Sequence, residues 1–446
     1  MEKQKTTKSF HYWQWRTIIA TMVGYSLFYF IRKNLSVAMP GLQAEFGITK
    51  AQLGIFLTAH GLIYGVSKFV NGIIGDRVNA RAFMVFGLLA VSLCGLAFAS
   101  GPTIAAFFAG SNTGEKFTAI LVVTLGVIWM LNGFFQGTGF PPCARLITHW
   151  VPPSELAFKM SIWNASHSIG AGFVVVLCGY LVMLGWRWCF WVPSMITIVG
   201  AGLLWLTLRD TPSSVGLPEL PGTEKKSETT DTEADRAEFK KFLRKKVFLN
   251  PIVWLCGFAN FFIYTIRYAI LDWGPTMLGE WKHISITKST WMVAGFEIAA
   301  IAGMLVAGWA TDRFFKGRAA RVCVLCMAFV TVILVIFWLV PLPTLALVPV
   351  LMAAGFFIYG PQALTGVITA NIVTRRGAAT AIGFTSLFSY ASTVLSGWGL
   401  GLVAQNYGWA PAIGVLCGAG VIGLIAFLCL WNTKRDAYEE ESAEKQ

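Results

Sequence analysis

Twelve apolar stretches, each long enough to cross a lipid bilayer, divide this chain of 446 residues. They fall at about 14–38, 52–75, 82–100, 119–146, 156–184, 188–208, 251–280, 289–312, 321–341, 344–370, 378–404 and 409–431. A bilayer-crossing helix needs about 20 apolar residues. The pattern therefore predicts an all-α membrane protein with twelve transmembrane helices in two sets of six. Glycine and polar residues interrupt the fourth, fifth and tenth stretches. Between the sets, residues 209–248 are polar, rich in Pro, Ser, Thr and Glu, and then basic. They read as a cytoplasmic linker with a short amphipathic segment over 234–246, where trypsin would cut first. The expected layout is an N-terminal six-helix half (1–208), the linker (209–248), a C-terminal six-helix half (249–433) and a cytoplasmic tail (434–446).

The two halves repeat each other. Gly72-x-x-x-Asp76-Arg77 follows the second stretch, and Gly308-x-x-x-Asp312-Arg313 follows the eighth, at an offset of 236. Gly185-Trp186 recurs as Gly408-Trp409 at an offset of 223, and a longer third-to-fourth loop in the first half accounts for the drop. Polar residues inside the apolar stretches repeat as well. Tyr25-x-x-x-Tyr29-x-x-Arg32 and Asn260-x-x-x-Tyr264-x-x-Arg267 match position by position at an offset of 235. Duplicated halves with polar residues near mid-membrane point to a secondary transporter with its site where the halves meet.

Composition agrees with a membrane protein. Hydrophobic residues make up 56% of the chain, charged residues 13%, and mean hydropathy is +0.63; a soluble domain carries about 25% charged residues. The net charge of +13 raises nucleic acid as a partner, but its distribution argues for a lipid bilayer instead. On this topology 26 of the 35 Lys and Arg residues lie on one side and five on the other, with four inside spans. By the positive-inside rule both termini and the linker are cytoplasmic. The nine cysteines lie mostly in apolar stretches and do not resemble a disulfide framework. Cys323-x-x-Cys326 has redox or metal spacing, but it sits in an apolar helix without neighbouring His or carboxylate. The N-terminus has no short apolar core with a small-residue cleavage site, so the first span is expected to stay in the mature protein.

Arginine near the bilayer centre costs at least ~2.5 kcal/mol and is generally functional. Its guanidinium is always charged and presents a planar fork that holds a phosphate bidentately. Arg32 and Arg267, at equivalent points of a duplicated chain, predict one anion clamp built from two halves. The alternative is that each is neutralised by a structural carboxylate, with Asp272 one candidate.

The segments 25–40 (YSLFYFIRKNLSVAMP), 64–81 (YGVSKFVNGIIGDRVNAR), 132–146 (NGFFQGTGFPPCARL), 163–172 (WNASHSIGAG) and 264–276 (YTIRYAILDWGPT) carry a specific resemblance. With the Gly-x-x-x-Asp-Arg loops, they resemble the major facilitator superfamily and, within it, the organophosphate:phosphate antiporters. That family includes hexose-6-phosphate and glycerol-3-phosphate transporters and a hexose-phosphate sensor. The resemblance covers essentially the whole chain. It implies exchange of an organic phosphate for inorganic phosphate by alternating access, a monomer, and a bacterial inner membrane. The family's two essential arginines fall on Arg32 and Arg267, and its central histidine on His167. Relatives more often have Asn where Ser168 stands. The segments 134–150 and 64–73 lean towards the hexose-phosphate members.

Around the arginines, His167 is either a satisfied structural group or, as the resemblance implies, a donor to the phosphate, with Asn164 one turn earlier on the same face. Lys68 shares a stripe with His60 and Tyr64. It either widens the positive field or binds the organic group, or else pairs with a carboxylate or snorkels. Tyr25 and Tyr29 share the Arg32 face; Asn260 and Tyr264 share that of Arg267. These, with Tyr359 and Gln362, either hydrogen-bond the substrate or make helix contacts. Lys33 points about 100° from the pocket row and suits packing or a polar partner. Asp272 and Glu297 read either as switchable partners of the basic groups or as members of static structural pairs. Asp76, Arg77, Asp312 and Arg313 read as cytoplasmic latches, with Gly72 and Gly308 allowing tight turns. Gly133, Gly137, Gly139, Pro141, Pro142, Gly355, Gly360 and Pro361 read as bending or close-packing positions, not as a nucleotide phosphate loop. No nucleophile, metal cluster or acid–base pair stands out, so neither an enzyme nor a cofactor is expected. Two rival readings share these residues: a sugar-phosphate membrane sensor and a proton-coupled organic anion symporter.

Overall fold

The computed structural model describes residues 2–75, 77–220, 233–373 and 377–433. Asp76, the central part of the linker and the tail 434–446 lie outside them. The chain divides into two compact units, Met1–Ile48 with Ala59–Thr229, and Thr49–Thr58 with Thr230–Gln446. The first half of the sequence forms α1 (Glu2–Phe46), α2 (Lys50–Gly75), α3 (Ala80–Ala99), α4 (Gly101–Ala109), α5 (Glu115–Gln136), α6 (Phe140–Trp150), α7 (Pro153–Asn164), α8 (Ser166–Leu181) and α9 (Trp188–Thr207). The second forms α10 (Glu233–Leu243), α11 (Pro251–Lys282), α12 (Ile286–Arg313), α13 (Ala319–Leu339), α14 (Thr344–Val373), α15 (Ala378–Ala391), α16 (Leu400–Tyr407) and α17 (Trp409–Cys429). Among the described residues eleven helical stretches are long and apolar enough to cross a bilayer. With α1, whose apolar run holds Arg32 and Lys33, they make the twelve expected. Leu93, Val123, Val199, Leu203, Leu305 and Leu339 are all about three-fifths exposed. Such outward aliphatic faces suit lipid, which solvates them without cost.

The helices break where the sequence supplies a reason. The fourth span divides into α5 and α6 across Gly137–Gly139, and Pro141 and Pro142 open α6 without needing amide partners. The fifth divides into α7 and α8 at Ala165, two residues before His167. A π-helical turn, Val394–Gly399, separates α15 from α16. The long third-to-fourth connection contains α4 and is not a plain loop. In α14, by contrast, the helix runs through Pro361 unbroken. Its glycines serve close packing: a Cβ added to Gly355 would overlap the Phe296 carbonyl of α12, and one on Gly360 would come 3.0 Å from Ala307 Cβ.

The sequence repeat is also a repeat of contacts. Gly185 (φ 124°) and Gly408 (φ 86°) both take backbone conformations that favour glycine. Each precedes a tryptophan. Trp186 Nε1 donates to Glu45 at 2.7 Å, and Trp409 Nε1 donates to Glu280 at 2.8 Å. Glu45 and Glu280 are themselves 235 residues apart.

One expectation needs correcting. Gly72 lies within α2 and Gly308 within α12, and a Cβ added to either meets nothing within 4 Å. Neither glycine makes a tight turn. The turn after α2 is held instead by Arg145 of α6, which donates to Gly75 O at 2.9 Å and to Val78 O. Arg145 also pairs with Asp210 at 3.5 Å, and Asp210 accepts the Ala80 amide at 2.7 Å, at the start of α3. Arg77, Asp312 and Arg313 are exposed. Of the linker, α10 and the turn after it place Phe242, Leu243 and Val247 against Val253, Val373 and Ala381.

All nine cysteines are free thiols. Cys178 and Cys189 tie α8 to α9, each thiol donating to the other's carbonyl at 3.7 and 3.6 Å.

Candidate functional site

Each half of the sequence builds an arginine cluster of its own. In the first, the Arg32 guanidinium lies 4.1 Å from the centre of the Tyr64 ring and 5.2 Å from that of Tyr29. Aromatic faces attract a cation while leaving its N–H donors directed elsewhere. Tyr29 packs on His167 at 6.0 Å and on Tyr25 at 5.6 Å. Tyr25 in turn lies 4.9 Å from Trp163. His167 is 5% exposed, and its Nδ1 is hydrogen-bonded to the Asn164 carbonyl across the break between α7 and α8. Lys68 lies over Phe140 at 4.5 Å. Arg32, Tyr29, Tyr25, His167 and Lys68 are therefore linked through aromatic neighbours. Asn164 contributes its carbonyl, and its residue is exposed.

In the second, Arg267 is 5% exposed. Its guanidinium lies 4.6 Å from the ring centre of Tyr359, 5.4 Å from Tyr264 and 5.7 Å from Tyr268. The Tyr359 hydroxyl donates to Glu297 Oε1. Tyr359 thus bridges the arginine and the carboxylate. Glu297 Oε2 and Arg267 Nε are both buried without hydrogen-bond partners among the described residues. No carboxylate there pairs with Arg267 within ion-pair distance. Asp272 and Lys33 are buried and each has a polar or electrostatic partner.

Some expected members belong to other networks. Asn260 Nδ2 donates to Ser389 Oγ at 2.6 Å and to Thr385 O at 3.3 Å, tying α11 to α15. His60 leaves the Lys68 stripe; it stacks on Trp129 at 5.2 Å and meets Asn132 at 3.3 Å. Tyr64 and Tyr268, absent from the expected arginine ligands, carry the guanidiniums. Only Tyr64 had a signal, its place four residues before Lys68. Among the described residues no three His, Cys, Asp or Glu side chains converge as metal ligands. What the two clusters offer is fixed positive charge among aromatic side chains, an arrangement that can hold a compact anion.

The profile of the Major Facilitator Superfamily matches residues 21–365 and 278–446. The probable hexose phosphate transport protein of Chlamydia trachomatis is 35% identical over 455 residues, covering 98% of this chain and 94% of that one. The glycerol-3-phosphate transporter of Bacillus subtilis is 34% identical, covering 95% and 93%. The membrane sensor protein UhpC of Salmonella typhimurium is 32% identical, covering 98% and 96%. Among solved structures, a D-xylose-proton symporter superposes with a TM-score of 0.70 at 15% identity, covering 94% of this chain and 97% of that one. That likeness concerns the fold alone.

Proposed function

We propose, from the premise that this chain belongs to the major facilitator superfamily and within it to the organophosphate:phosphate antiporter family, that it exchanges an organic phosphate ester for inorganic phosphate by alternating access. Hexose 6-phosphate is the favoured ester and glycerol 3-phosphate the next. The protein works as a monomer in a bacterial inner membrane with both termini in the cytoplasm. Arg32 and Arg267 are its phosphate ligands, His167 a further donor, and Lys68, Tyr25, Tyr29, Tyr264 and Asn164 complete the substrate surroundings.

The observation that carries the reading is Arg267. It is almost fully buried, rests on three tyrosine rings, and forms no carboxylate ion pair among the described residues. A buried charge without a counter-ion is costly; a bound dianion removes that cost. Glu297, held by Tyr359, keeps a negative charge close by in the empty protein. It lies near the arginine through Tyr359 without pairing with it directly, so the guanidinium is left open to phosphate. Reorientation of the empty carrier then leaves the arginines uncompensated and is slow, which makes exchange obligatory.

The test is uptake of labelled glucose 6-phosphate and glycerol 3-phosphate into phosphate-loaded vesicles carrying the purified protein. Uptake that depends on internal phosphate supports antiport, and the faster ester names the substrate. Similarity to UhpC gives the second reading, a membrane sensor; binding of an ester without flux supports it. Proton-driven accumulation independent of internal phosphate would favour a symporter.

A further inference from the structure

The backbone of α1 leaves helical geometry at Ile31 (φ −102°, ψ 20°), the residue before Arg32. A break of this kind takes neighbouring carbonyls off their helical partners. Two buried amides from α5 meet those carbonyls. Asn132 Nδ2 donates to Ile31 O at 3.1 Å, and Gln136 Nε2 donates to Phe28 O at 2.9 Å. Both side chains are almost wholly buried. The contact between Asn132 Oδ1 and His60 Nε2 orients the Asn132 amide so that its NH2 faces α1. One turn apart on α5, the two amides bracket the stretch of α1 that leads into Arg32.

The internal repeat supplies a control. Gly133-Phe134-Phe135 in α5 recurs as Gly355-Phe356-Phe357 in α14, at an offset of 222. The packing of these glycines recurs too. A Cβ on Gly133 would come 2.9 Å from His60 O of α2, and one on Gly355 would overlap Phe296 O of α12. His60 and Phe296 are 236 residues apart, the offset of the Gly-x-x-x-Asp-Arg loops. The amides do not recur. At the positions of Asn132 and Gln136, α14 has Ala354 and Ile358. Nor does the break recur: Ile266, the counterpart of Ile31, lies inside the continuous helix α11. The polar pair is present in the half with the broken helix and absent from the half without it. Glue between helices would be needed in both halves; holding a break is needed in one.

We propose that Asn132 and Gln136 are positioning residues for Arg32: they hold α1 open at Ile31 and so set where the guanidinium lies over Tyr64 and Tyr29. Without them α1 closes into a regular helix and turns Arg32 away from the phosphate. This rests on reading Arg32 as a phosphate ligand.

The test gives the first half the residues of the second, in the double variant Asn132→Ala, Gln136→Ile. Equilibrium binding of inorganic phosphate to the purified protein is expected to weaken at least about tenfold, in line with the loss of one or two hydrogen bonds to buried carbonyls. In exchange assays KM should rise more than kcat falls. Deuterium uptake over residues 28–36 should drop, as a continuous helix requires. Unchanged phosphate affinity in folded protein overturns the proposal, whatever the exchange pattern. So does uptake that rises throughout α1 and α5, which marks the amides as plain packing. If the double variant does not fold, Asn132→Leu and Gln136→Leu each remove one donor and are read the same way. Wild-type protein that binds neither phosphate nor ester would sink the antiporter reading. The deuterium measurement, which needs no ligand, would still decide whether the amides hold the break.

Discussion

Gly355→Ala adds one methyl group where α14 lies directly against the backbone of α12. The new Cβ would sit inside contact distance of the Phe296 carbonyl oxygen and close to its Cα, both on α12. The obstacle is backbone, so no rotamer change relieves it, and α12 and α14 must separate. Overpacking of this sort costs about 1–3 kcal/mol. The alanine recovers only about 0.5–1 kcal/mol from its better helix propensity. Gly308→Ala is the matched control, because its Cβ meets nothing within 4 Å and the propensity gain stands alone. For a unit of this size 1 kcal/mol moves Tm by about 2–4 °C. Tryptophan fluorescence melts in detergent, using the 18 native indoles, should place Gly355→Ala several degrees below wild type and Gly308→Ala at or slightly above it. Separation of α12 and α14 also shifts Tyr359, one turn beyond Gly355, from beneath Arg267, so phosphate binding should weaken in the same variant. The reasoning is refuted if Gly355→Ala melts at or above wild type, or if Gly308→Ala is the less stable of the two.

Arg32→Ala and Arg267→Ala should each abolish phosphate exchange in vesicles while leaving the protein in the membrane. The lysine versions should recover little, because a point charge lacks the fork; near-normal exchange in any of the four contradicts the assignment. Asn260→Leu removes two hydrogen bonds between α11 and α15 and should lower stability by about 1–3 kcal/mol, with KM unchanged in the folded fraction. A raised KM would return Asn260 to the substrate site. Arg145→Ala leaves two carbonyls without their side-chain donor and Asp210 without its ion pair; the site is partly exposed, so a loss of about 1–2 kcal/mol is expected. Faster proteolysis after Val78 would report it, and an unchanged cleavage pattern would argue against the clamp.

Much of this was legible in the sequence because lipid imposes simple rules. Runs of about 20 apolar residues must become helices, and an arginine inside one must have a purpose. The repeat offset marked Arg32 and Arg267 as equivalent positions of the two halves before any contact was known. Proline and glycine at 137–142 read as bending or close-packing positions, and there the span in fact divides into α5 and α6. What stayed hidden was which face meets which helix. Asn132 and Asn260 look alike in an apolar run, yet one satisfies a broken backbone and the other crosses to α15. Tyr64 and His60 share a stripe by spacing, yet they face different neighbours, Arg32 and Trp129. Gly72 and Gly355 are both helical glycines, yet one borders open space and the other a carbonyl.

Seven of the nine thiols are buried and Cys94 is half-buried, leaving Cys429 exposed at the end of α17. The native chain is thus close to silent towards water-soluble maleimides. Cys429→Ser alone should make it a background for spin or fluorescent labels, with the Cys178–Cys189 tie between α8 and α9 left intact. Pairs of labels could then follow the transport cycle in real time, without the wholesale removal of cysteines that often weakens a protein before its motion is ever measured.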